Sequence, residues 1–170
     1  MTTLFFHSVN SPIGLLHIAH ANDIVFALDF AEFQERFFAQ LQKRFSAQLT
    51  FQPAANTLIE EHLQQYFAGD IHALNHIQIN TQGTAFQQKV WQGLRNIPVG
   101  HTASYLQLAQ NIGVENGQRA VGSANGKNPI PLIIPCHRVI NSSGKLGGYS
   151  GSLWRKEWLL KHEGVCCNKR

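Results

Sequence analysis

The stretch Asn128-Pro129-Ile130-Pro131-Leu132-Ile133-Ile134-Pro135-Cys136-His137-Arg138-Val139-Ile140 constrains this chain more than any other. Its prolines remove backbone donors and fix φ, so neither a helix interior nor a central strand can run through it. Its apolar residues demand burial all the same. The segment is therefore expected to be rigid, irregular and internal, and it ends by delivering a cysteine, a histidine and an arginine in succession. A thiol among cationic neighbours is pushed toward the thiolate, the form that reacts.

An ordinary cysteine, with a pKa of about 8.5, is only a few per cent thiolate at neutral pH, so a nucleophilic Cys136 needs a base. His137 is the nearest candidate. Neighbours on a strand face opposite sides, however, so a turn or an intervening water is required to bring the two together. A base of this kind is in turn oriented by a third group, usually a carboxylate. The second half of the chain offers Glu115, Glu157 and Glu163, the last at the end of the final helix beside Gly164. Read alone, the triplet fits equally a small buried hydrophobe with chance neighbours. A zinc site would need four ligands at short pair spacings. The chain has no C-x-x-C, and the pairs His17/His20 and His72/His76 lack partners and are expected at the surface. Cys166 and Cys167 read as exposed bystanders. No metal is expected.

Charge divides the molecule. Residues 1–80 carry three Lys/Arg against seven Asp/Glu, and residues 81–170 carry eleven against three, so a net charge of +4 conceals halves of −4 and +8. A cationic segment attracts polyanions, of which nucleic acid is the commonest; a basic face that serves only solubility is the competing reading. No apolar run approaches the roughly 20 residues that cross a bilayer, and no leader-like segment opens the chain. A soluble protein of a reduced cytoplasm is expected.

The chain reads as two domains, residues 1–80 and 84–170, around Thr81-Gln82-Gly83-Thr84. In the first, Leu4–Phe6, Leu15–Ile18 and Ile24–Leu28 are short apolar runs separated by turn residues, which predicts an antiparallel meander. Phe33, Phe37, Leu41 and Phe45 recur every fourth residue and predict a helix covering it. Asn56 and Gly69 bracket a second helix, and His76–Asn80 alternates like a strand end. Four helices are expected in the second domain. Thr84-x-x-Gln87 and Ser104-x-x-Gln107 are capping boxes, Gly113 can end the second helix, and a short helix carries Arg119, Ala120, Gly122 and Ala124. Helix, glycine turn and small-residue helix form a helix-turn-helix pattern in the basic half.

Taken together, Phe86-Gln87-x-x-Val90-Trp91, Ile97-Pro98-x-Gly100-x-Thr102-x-Ser104-Tyr105, Arg119-Ala120-Val121-Gly122, Asn128-Pro129, Pro135-Cys136-His137-Arg138-Val139, Gly148-Tyr149-x-Gly151 and Lys156-Glu157-x-Leu159-Leu160-x-x-Glu163 closely resemble the O6-alkylguanine-DNA alkyltransferases, the methylated-DNA–protein-cysteine methyltransferase family. The resemblance implies an α/β (α+β) protein with a ribonuclease-H-like N-terminal lobe, built on an antiparallel sheet with helices, and a winged-helix-like C-terminal lobe that binds DNA and accepts the alkyl group. It implies DNA repair by a single, irreversible transfer from O6-alkylguanine to Cys136, and it leaves open whether O4-alkylthymine is also a substrate. His137 would be the base through a water and Glu163 its carboxylate. Asn128 would brace the turn, and Arg119 would replace the extruded nucleotide. Tyr105 would contact the flipped guanine, and Val139, Tyr149 and Ser150 would line its pocket. Ser104, Ala120 and Gly122 would join the DNA surface, with the helix in the minor groove rather than the major. No cofactor is implied, and the partner is double-stranded DNA containing O6-alkylguanine, bound by a monomer that can associate cooperatively on it.

The zinc cysteines of some relatives are absent. Ser152 replaces a usual second glycine, and Val114-Glu115-Asn116-Gly117 a proline- and alanine-rich turn. Competing readings are a non-catalytic lesion-binding protein, whose representatives lack the reactive cysteine, and a cysteine hydrolase, which leaves the basic half and Arg119 unexplained.

Overall fold

The computed structural model describes residues 2–165, which divide into two compact units, one up to Gln82 and one from Gly83. In the first, β1 (Thr2–Val9), β2 (Leu16–Ala21) and β3 (Ile24–Phe30) form the expected antiparallel meander. The sheet as a whole is not antiparallel. Helix α1 (Gln34–Phe45) carries the chain back to β4 (Leu49–Pro53), which pairs in parallel with β1. Helix α2 (Thr57–Ala68) likewise precedes β5 (Gln78–Ile79), parallel to β3, giving the order β4-β1-β2-β3-β5. A helical crossover returns the chain in the same direction, and this is why the outer pairs are parallel.

Phe37 and Leu41 of α1 pack with Leu4, Ala19 and Ala27, flanked by Phe6, Phe26, Phe38 and Phe45. Phe33 lies just outside α1, in a 3-10 turn over Ala31–Phe33. On the other side of the pleat Val9, Leu16 and Ile18 are equally buried, and α2 adds Ile59, Leu63 and Tyr66 to the core. Asn56 caps α2 by accepting from the Ile59 N–H, and Gly69 ends it. His17 and His20 are not surface residues: both are buried in the sheet. Each has a short-range polar partner, Ser8 Oγ at 2.8 Å from His17 Nδ1 and the Ala54 carbonyl at 3.0 Å from His20 Nε2. His72 and His76 are exposed, as expected.

The second unit holds α3 (Ala85–Arg95), α4 (Tyr105–Asn111), α5 (Gln118–Gly126) and α6 (Leu153–His162), with a two-stranded parallel ladder of β6 (Ala103–Ser104) and β7 (Val139–Ile140). Both capping boxes form, at Thr84/Gln87 and at Ser104/Gln107. Trp91 ties α3 to α5 by donating Nε1–H to the Ala124 carbonyl at 2.9 Å. Gly93 lets α3 approach α4, since a Cβ there would lie 2.6 Å from Ile112 Cγ2. Among the described residues no helix is long and apolar enough to cross a membrane.

Candidate active site

The proline segment is held as a closed loop. Every residue from Pro129 to Val139 is buried. Asn128 straddles the loop: its Nδ2–H donates to the Ile134 carbonyl at 2.8 Å, and its Oδ1 accepts from the Ile130 N–H at 2.9 Å. The Ile134 N–H closes the same loop on the Ile130 carbonyl at 2.9 Å. At its tip Leu132 sits at φ 75° with 1% exposure. A leucine in that region costs on the order of 1–2 kcal/mol, which the packed surroundings must offset.

Cys136–Arg138 form one turn of 3-10 helix, with the Arg138 N–H on the Pro135 carbonyl at 3.0 Å. Successive side chains on such a turn are rotated by about 120°, not thrown to opposite faces as on a strand. His137 is fully buried, and its Nε2 lies 2.8 Å from Glu163 Oε2. Glu163, at the C-cap of α6 and 2% exposed, also accepts from Arg138 Nε at 2.8 Å and Nη2 at 3.2 Å. Arg138 Nη1 donates to the Ile97 carbonyl at 2.8 Å, anchoring the fork to the end of α3.

Burial alone would raise the Glu163 pKa, but the His137 imidazole and the Arg138 guanidinium outweigh it and hold the carboxyl well below the usual carboxylate range. Burial pushes His137 down; Glu163 opposes this, and the cations Arg138 and Lys156 add to it, so the imidazole is neutral at neutral pH. A neutral ring that donates Nε2–H to Glu163 carries its lone pair on Nδ1. That nitrogen is buried and has no hydrogen-bond partner among the protein atoms. It is a base nitrogen held at a fixed orientation.

Cys136, 2% exposed, forms the floor of a cleft of about 130 Å³ lined also by Tyr105, Gly122, Asn125, Gly126, Gly148, Tyr149 and Ser150. Burial raises the Tyr105 pKa, as does Cys136 nearby, against an opposing hydrogen bond from the Asn125 amide, so the phenol keeps its proton. Five sequence-predicted residues thus meet here: Tyr105, Gly122, Cys136, Tyr149 and Ser150. Arg119 and Ala120 are exposed on the first turn of α5. Ser104 caps α4 and lines a separate groove with Thr102, Gln107 and Asn141. Val139 pairs with Ala103, its side chain fully buried.

Lys156 was not among the expected site residues. It is fully buried, and its Nζ donates to the Val139 carbonyl at 2.6 Å and the Gly148 carbonyl at 2.9 Å, fastening the cleft loop to β7. A signal existed, because Lys156 and Glu163 share the helical stripe of Leu159 and Leu160, where charge is out of place. Asn125 was missed for a different reason: an asparagine in a small-residue helix looks solvated, yet it is 8% exposed. Cys166 and Cys167 lie outside the described residues. Among the described residues no group of three or more His, Cys, Asp or Glu is placed to hold a metal ion.

Residues 85–165 match the family model of the 6-O-methylguanine DNA methyltransferase DNA-binding domain. A methylated-DNA–protein-cysteine methyltransferase of Salmonella typhimurium is 50% identical over 106 residues, a match that spans 62% of this chain and 62% of that protein. A Mycolicibacterium paratuberculosis protein of the same name is 41% identical over 158 residues, covering 93% of this chain and 91% of the relative. The crystal structure of Mycobacterium tuberculosis OGT in complex with DNA superposes with a TM-score of 0.77 at 38% identity, covering 95% of this chain and 92% of that one. A likeness that runs through both units, together with buried Cys136, His137 and Glu163 inside the matched region, establishes that this chain belongs to the methylated-DNA–protein-cysteine methyltransferase family.

Proposed function

We propose that this protein repairs DNA by moving a methyl or larger alkyl group from O6 of guanine onto Cys136, once per molecule. The observation that carries the proposal is the neutral His137, oriented by Glu163 and with a bare Nδ1, on the same turn as a thiol that floors a cleft. The Cys136 proton passes to His137 Nδ1 through a water, and the thiolate sulfur attacks the alkyl carbon. The S–C bond forms as the C–O6 bond breaks, and guanine leaves with its electron pair. Tyr105 gives its proton to the departing base, so that guanine leaves neutral, and the phenolate is reprotonated from solvent, as general acid catalysis requires. The thioether product has no good leaving group, so no second step follows and no cofactor is needed.

An alkyl carbon within the base stack is out of reach, so the nucleotide must be flipped out. In this reading the N-terminal unit is ribonuclease-H-like. The second unit, residues 84–170, is winged-helix-like and lays α5 in the minor groove, with Arg119 filling the space the nucleotide leaves. The small face of α5 supports this. A Cβ at Gly126 would meet nothing within 4 Å, and one at Gly122 only ordinary contact with Tyr105, so internal packing does not demand glycine at either position. A duplex pressed against the helix would. Asn128 braces the loop, Val139, Tyr149 and Ser150 form the pocket side, and Ser104 and Ala120 contribute to the DNA surface. The protein acts as a monomer in the cytoplasm on double-stranded DNA.

Intact and peptide mass spectrometry after incubation with a duplex containing one O6-methylguanine tests this. One methyl gained on the Cys136 peptide, and absent in Cys136→Ala, is expected. Binding of the lesion with no adduct would instead make the protein a lesion sensor.

A further inference from the structure

We propose that Arg155, covered by Trp154, sets how large an alkyl group the cleft admits, by anchoring the loop that forms one of its walls. The inference rests on the alkyl-transfer reading above. It concerns the wall and not the base, which is the same in both substrates compared below. Gly148, Tyr149 and Ser150 supply that wall. Their loop is gripped at both ends by adjacent residues of α6. Lys156 Nζ donates to the Gly148 carbonyl at 2.9 Å, and Arg155 Nη1 donates to the Gly151 carbonyl at 3.0 Å. The Ser152 N–H closes a turn on the Tyr149 carbonyl at 3.1 Å, so Tyr149 and Ser150 hang from a short span with little slack.

Arg155 is 6% exposed, and its guanidinium lies 4.7 Å from the centroid of the Trp154 ring, itself 49% exposed. The indole screens the cation from water and adds a cation–π contact. Burying a guanidinium costs far more than burying an aliphatic chain unless its hydrogen bonds compensate. The carbonyl that Arg155 grips is such a compensation, and a charge-assisted bond in a water-poor setting is among the stronger kinds. A methyl group on O6 leaves the wall where it stands. A benzyl group adds a phenyl ring, and the wall must give way to it or exclude it. With the Gly151 end released, the wall gives way more readily.

Single-turnover transfer to the full chain, measured on duplexes that contain either O6-methylguanine or O6-benzylguanine, tests the assignment. The readout is the ratio of the benzyl rate to the methyl rate, which a general loss of stability or of DNA affinity leaves in place because it slows both. Arg155→Met, similar in reach but without a donor, is expected to raise that ratio about tenfold, the lower end of what one hydrogen bond from a charged group contributes. Arg155→Lys keeps a donor and keeps the wild-type ratio. Trp154→Ala, at an exposed position, uncovers the guanidinium and raises the ratio about two- to fivefold, the size of a cation–π contact. An unchanged or lower ratio in Arg155→Met overturns the proposal; if that variant does not fold, an unchanged ratio in Trp154→Ala does so. Absence of methyl transfer in wild type overturns the alkyl-transfer reading itself, and this proposal with it.

Discussion

Glu163→Gln is the substitution whose effect the structure specifies most fully. Three N–H donors converge on this carboxylate, one from His137 and two from Arg138, at 2.8, 2.8 and 3.2 Å, inside a region with 2% exposure. Glutamine keeps the shape but offers one acceptor atom, and its amide N–H groups must face a donor. The Arg138 cation also loses its buried counter-charge. Removing one partner of a buried pair costs about 3–5 kcal/mol, which for a chain of this length is a fall in Tm of about 6–20 °C at about 2–4 °C per kcal/mol. Trp91, Trp154 and Trp158 all lie after Gly83, so tryptophan fluorescence, excited selectively over Tyr66, follows the second unit alone during thermal or urea unfolding. Glu157→Gln is the internal control. Its partner Lys161 is exposed and 3.6 Å away, and an i,i+4 surface pair contributes no more than about 0.5 kcal/mol. If Glu163→Gln unfolds within about 1 kcal/mol of wild type, the carboxylate is not holding the fork and the account of the site fails.

Three further outcomes are expected. Ser152 occupies φ 84°, ψ 142°, a region suited to glycine, and makes no side-chain cap; relief of that strain, less the added flexibility of glycine, makes Ser152→Gly more stable by about 0.5–1 kcal/mol, and a destabilised variant in urea titration would contradict this. Asn128→Ala strips both side-chain bonds from the proline loop, at a cost of about 2–4 kcal/mol from two buried backbone groups; an unchanged unfolding midpoint would show that the brace is dispensable. Burial, with each other's proximity added for His7, holds His7 and His20 below the ordinary imidazole value of 6.5, despite opposing effects of Glu60 on His7 and of the Ala54 carbonyl and Asp23 on His20. The unfolded chain therefore takes up protons below about pH 6.5 that the fold refuses, so the first unit keeps its full stability above that pH and loses it as the pH falls. Hydrogen exchange over residues 2–30, corrected for intrinsic rate, should rise from pH 7.5 to 5.5 and rise less in His7→Phe; flat protection would refute the linkage.

Local signals were legible where they depend on a few neighbouring side chains. The two capping boxes, the phenylalanine spacing of α1 and the Asn56 and Gly69 limits of α2 needed only the sequence, since i,i+3 and i,i+4 geometry is fixed by the helix. Strand β4 was not legible because Leu49–Pro53 is short, half exposed and ends in proline, and only its pairing with β1 makes it a strand. His17 and His20 misled for a related reason: their burial comes from sheet register, which places Ser8 and Ala54 at their rings. At the site, Cys136 and His137 were readable from the proline segment and Glu163 by resemblance. The sharing of Glu163 between His137 and Arg138, and the seats of Lys156 and Asn125, depend on α5 and α6 converging on one loop. No window of sequence contains that convergence.

The carboxylate that orients His137 sits at the end of α6, late in the order of synthesis. At about 5–20 residues per second, Glu163 is made roughly 1–5 s after Cys136. Until then the imidazole has no fixed tautomer, and the thiol is an ordinary cysteine with only a few per cent of reactive thiolate. Under the proposed reading Cys136 is used only once, and it gains an oriented base only when α6 has brought the Glu163 carboxylate to His137.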